Sequence, residues 1–67
     1  MTETVLFIET ADNLDIGDAI DCDGTVTIVG KRDLGQFIEL TIMDDFGERD
    51  TFIVEPDHEF SVMGVVD

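Results

Sequence analysis

Gln36-Phe37-Ile38-Glu39-Leu40-Thr41-Ile42-Met43 is the stretch whose reading decides the fold. Ile38, Leu40 and Ile42 alternate with Phe37, Glu39, Thr41 and Met43, the period of two that marks a half-buried β-strand. Apolar residues occur in both phases, so such a strand offers hydrophobic surface to each side. No longer window elsewhere carries the 3.6-residue stripe of a helix, and the chain reads as all-β.

Outward from this strand, Asp44, Asp45, Phe46, Gly47 and Glu48 supply a turn, and Asp50 to Glu55 returns as the second arm of a hairpin. Pro56, Asp57 and His58 break that arm. A last strand follows, in which Phe60, Val62, Gly64 and Val66 alternate with Ser61, Met63 and Val65. In the other direction, Gly30, Lys31, Arg32, Asp33, Leu34 and Gly35 read as a glycine-bounded loop. Asp18 to Val29 reads as one bent strand with Ile20 and Cys22 on one face, Asp23-Gly24 giving either a turn or a bulge. Thr10 to Gly17 is a loop with room for a helical turn, and Val5 to Glu9 is the first strand. The count is five.

The chain has 67 residues, read as one small β-barrel domain over 1–67, with residues 1–3 open to flexibility. So short a chain hides only about 60% of its unfolded surface, and a single cysteine, Cys22, cannot staple it internally. Five short strands in this length favour a barrel, because closure removes the edges an open sheet exposes. Leu14-Asp15-Ile16-Gly17-Asp18-Ala19-Ile20 resembles the entry to the second strand of SH3-like barrels, and the meander after it extends the resemblance over about fifty residues. OB-like and Sm-like barrels are the rival readings. There is no Trp or Tyr, so the aromatic groove of peptide-binding SH3 domains is missing and recognition of proline-rich peptides is not implied.

Charge is the second strong signal. Seventeen Asp and Glu stand against Lys31, Arg32 and Arg49, a formal net charge of -14, yet 43% of residues are hydrophobic. Disordered acidic tails lack such residues. Spread over the surface of a folded chain this size, the carboxylates sit roughly 16 Å apart. Screening reaches about 8 Å at physiological ionic strength and about 3 Å at 1 M, so folding is expected to improve with salt. The composition resembles that of haloarchaeal proteins and of the viruses that infect those cells. With no long apolar span and no basic and apolar leader at Met1 to Thr4, the expected location is cytoplasmic or virion, away from membranes.

Several chemistries fail on their own spacing. Asp21-Cys22-Asp23-Gly24 looks like part of a calcium loop, but Gly24 at loop position six puts Ala19 at position one and Gly30 at position twelve, where carboxylates are needed. Asp44-Asp45-Phe46-Gly47 shares three letters with a kinase motif, in a chain too short for the lobes that give them meaning. Cys22, in phase with Ile20, reads as a small buried apolar side chain. His58, the lone imidazole, has no nucleophile evidently paired with it, and one His with one Cys makes no zinc signature. Two adjacent cations cannot give the basic face that phosphates require, so direct nucleic-acid binding is not expected.

The expectation is therefore a non-enzymatic accessory or structural subunit without cofactor or metal, packing through barrel surfaces in a larger assembly or with itself. Lys31, Arg32, Leu34, Phe46 and Met63 are the candidate partner contacts. An acidic nucleic-acid mimic that blocks a DNA- or RNA-binding protein is the alternative.

Overall fold

A computed structural model describes residues 3–22 and 24–66. Six strands form one antiparallel sheet: β1 (Glu3–Thr10), β2 (Ala19–Asp21), β3 (Thr25–Asp33), β4 (Ile38–Met43), β5 (Arg49–Val54) and β6 (Glu59–Val66), in the order β1-β6-β2-β3-β4-β5. The expected five-stranded closed barrel is corrected on two counts. Asp18 to Val29 is two strands, β2 and β3, paired as a hairpin with Ile20 opposite Val26. The sheet also stays open, with β1 and β5 as its free edges among the described residues. Asp23 itself, with Met1 and Thr2, lies outside the described residues, whereas Glu3 already pairs with Val66.

Open does not mean flat. Four strand steps separate β6 from β5, which in a flat sheet is roughly 19 Å, yet the rings of Phe60 on β6 and Phe52 on β5 have centroids 6.1 Å apart. The sheet therefore curls around a concave face. Ile20, Val26, Ile28, Ile38, Leu40, Ile42, Phe60 and Val62 are buried there. The alternation that identified β4 is the burial pattern itself, since Ile38, Leu40 and Ile42 are buried and Glu39, Thr41 and Met43 only partly so.

A cap closes what curling leaves open. After β1 the chain makes a 3-10 turn, η1 (Ala11–Asn13), and drops Ala11 and Leu14 into the core with no exposed surface. A backbone crossing a hydrophobic face must find partners for its amides and carbonyls. Here the Ala11 N–H donates to the His58 carbonyl at 2.9 Å and the Asp12 N–H to the Pro56 carbonyl at 3.0 Å. From the other side, Lys31 Nζ donates to the carbonyls of Asp12 at 2.9 Å and Leu14 at 2.7 Å.

Lys31 reaches that position because of a bulge. The β3–β4 register runs Thr27 to Met43 and Ile28 to Ile42, then resumes at Gly30 to Thr41 and Lys31 to Leu40. The extra residue, Val29, flips the alternation, and Lys31 comes onto the concave face opposite buried Leu40. Gly30, read from sequence as the start of a loop, instead continues β3. A Cβ there would lie 3.2 Å from that of Thr41, so the glycine serves close strand approach. The turn comes later: Leu34 N–H donates to the Phe37 carbonyl at 2.8 Å, and Asp33 Oδ1 accepts from Gly35 N–H at 2.8 Å.

Candidate interaction surface

The five residues expected to meet a partner do not form one patch. Lys31 is a half-buried structural cation committed to the cap, and the glycine-bounded loop expected around Lys31 and Arg32 is corrected at these two residues to a stretch of strand. Arg32 turns to the opposite face, its side chain 64% exposed and its Nε 3.8 Å from Glu39 Oε1 on β4. Leu34 is exposed in the β3–β4 turn. Phe46, 92% exposed, tops the β4–β5 turn, which Asp44 organises by accepting at Oδ1 from the Phe46 and Glu48 amides at 2.9 Å each. Met63 is half-buried on β6, its sulfur 3.4 Å from Thr25 Oγ1.

Cys22 is exposed, not buried as its phase with Ile20 implied. The reason is local: β2 ends at Asp21, and Cys22 is in the following turn with its N–H on the Gly24 carbonyl at 2.8 Å. His58 sits in the β5–β6 turn with its ring in an edge-to-face arrangement with that of Phe60, centroids 4.8 Å apart. Among the described residues no group of His, Cys, Asp and Glu is arranged to hold a metal ion, and no helix is long and apolar enough to cross a membrane.

Strand register does assemble a surface that the sequence left scattered. Leu6 lies opposite Met63, Met63 opposite Ala19, Ala19 opposite Thr27, Thr27 opposite Met43 and Met43 opposite Arg49. Directly opposed residues share a face, so these six make one row across the whole convex side. In a chain with seventeen acids, this row contains no carboxylate, and its one charge is at the β5 end. A β4 periodicity can show that Met43 faces away from the core, but only the pairings bring it into line with Leu6 and Met63.

The row ends on β1, where the apolar surface becomes widest. Val5 is 36%, Leu6 62%, Phe7 43% and Ile8 59% exposed, so both faces of this edge strand are hydrophobic and open. Phe7 lies on the concave side opposite Val62, its ring resting over Gly64, where an added Cβ would meet ring Cε1 at 2.8 Å. The whole chain exposes 4690 Å², against about 4,200 Å² for an average folded protein of its mass. No family model, curated protein or solved structure matches the chain.

Proposed function

We propose that this protein is a non-enzymatic structural or accessory subunit that packs through its β-sheet in a larger assembly adapted to concentrated salt, cellular or virion. The observation that carries this reading is the acid-free convex row running into the exposed apolar strand β1. Elsewhere the carboxylates are all at least partly exposed among the described residues, as a surface kept soluble by charge requires. Contiguous apolar surface in such a setting marks a place where water is displaced by another chain. The SH3-like relationship belongs to this proposal, supported by the Leu14 to Ile20 segment, which leads into the second strand as the resemblance implies.

The test is assembly at native salt. Purified in about 2 M potassium chloride, where screening reaches only about 2–3 Å, the protein is expected to self-associate or to retrieve a defined partner from its source. A protein that stays monomeric there and retrieves nothing ends the subunit reading. The salt component is separable: the urea midpoint should rise from about 0.1 M to about 2 M salt as repulsion between the carboxylates is screened, and identical midpoints would remove it.

A further inference from the structure

We propose that β1 pairs antiparallel with β1 of a second copy, joining two six-stranded sheets edge to edge about a two-fold axis at Phe7. The inference rests on the subunit reading and names its partner.

The two free edges of the sheet are built differently. Strands at edges are ordinarily protected by charge, proline or shortness, because their unpaired amides and carbonyls invite another strand. At β5, Arg49 and Asp50 open the strand, Glu55 and Pro56 follow it, and Phe52 and Val54 turn inward against the core. β1 has eight residues, with charge only at Glu3 and Glu9. The uncharged runs 25–30 and 60–66 lie in strands with neighbours on both sides, whereas Val5 to Ile8 lies at an edge.

Register and charge admit a second copy as the occupant, in an antiparallel pairing that sets no acid against another. A two-fold axis perpendicular to the sheet must place one residue opposite itself, since only then do opposed side chains share a face. Centred on Leu6, the pairing would put Glu3 against Glu9 twice. Centred on Phe7, it puts Leu6 against Ile8 on the convex side and position 4 against Thr10, and no carboxylate opposes another. Edge pairing also keeps the two acidic bodies on opposite sides of the seam, while stacking two sheets face to face would superimpose their charges. Leu6, at the end of the convex row, then meets the Ile8 of the second copy, whose own neighbour on β6 is Ser61.

Light scattering across a concentration series, together with amide exchange, tests this in about 2 M potassium chloride, where the Debye length is about 2–3 Å. The expected result is a dimer whose β1 amides gain protection as concentration rises. Leu6→Lys replaces an exposed side chain that makes two symmetric cross-strand pairs, so it should weaken the dimer about tenfold or more. Ile53→Lys, on the protected edge, should leave it unchanged, and circular dichroism checks that both variants fold. If Leu6→Lys does not fold, exchange on the unmodified protein decides alone: β1 protection independent of concentration overturns the proposal. A dimer indifferent to Leu6→Lys overturns it too. A monomer that still retrieves a partner overturns self-pairing and leaves the subunit reading standing, whereas a monomer that retrieves nothing removes both.

Discussion

Strands β1 and β4 are both rich in large apolar residues, and they meet opposite fates. In β4, Ile38, Leu40 and Ile42 are buried between flanking strands and beneath the cap. In β1, Val5, Leu6, Phe7 and Ile8 are all exposed, because the strand has one neighbour and the cap begins only where it ends. Composition does not separate the two cases. Place in the sheet order does: β4 has a neighbour on each side, and β1 has only β6.

The widest test of this contrast compares leucines. Leu40→Ala removes a fully buried side chain and should cost about 2–5 kcal/mol, roughly half of the ~3–10 kcal/mol available to a chain this long. Leu6→Ala, in the monomer, should cost no more than about 0.5 kcal/mol. Urea unfolding at high salt, at protein concentrations low enough to keep the chain monomeric, reads both, and equal losses would mean that β1 is covered within the monomer.

The roof over β4 can be loosened separately. Lys31→Met keeps the aliphatic stem but loses both hydrogen bonds to the cap carbonyls, for an expected loss of about 1–2 kcal/mol. Amide exchange should accelerate first at Ala11 and Asp12. Uniform acceleration across the sheet would show that the cap and the strands open together.

A more local effect concerns how Phe7 sits. Gly64→Ala drives a methyl into the ring edge, and because an exposed ring can shift, the cost should be about 1 kcal/mol. In a Phe7→Ala background that penalty should vanish, since the two sites couple only through the ring. A penalty that persists would place the strain in the β6 backbone.

Local pattern made much of this fold legible. The alternation of 36–43, the Asp44 to Glu48 turn and the Pro56 break all correspond to observed elements, as do the first and last strands and the short helical turn after β1. What failed were positions where one residue type serves two purposes. Gly30 read as a loop residue, yet it allows close approach to Thr41. Cys22 kept the phase of Ile20, but β2 ends before it. The candidate surface was hardest, because the row from Leu6 to Arg49 is created by pairings between strands distant in sequence, and no periodicity within one strand carries that register. The separation of Lys31 from Arg32 has the same origin, in a bulge whose extra residue carries no compositional mark.

The bond between Lys31 and the cap has a chemical consequence. This is the only lysine in the chain, and its amine is spent on two main-chain carbonyls. An acylating reagent therefore meets a side-chain amine that must first let go of Asp12 and Leu14. The pace of labelling at that one nitrogen becomes a clock for the lifting of the roof, kept by the protein's own sequence without an added probe.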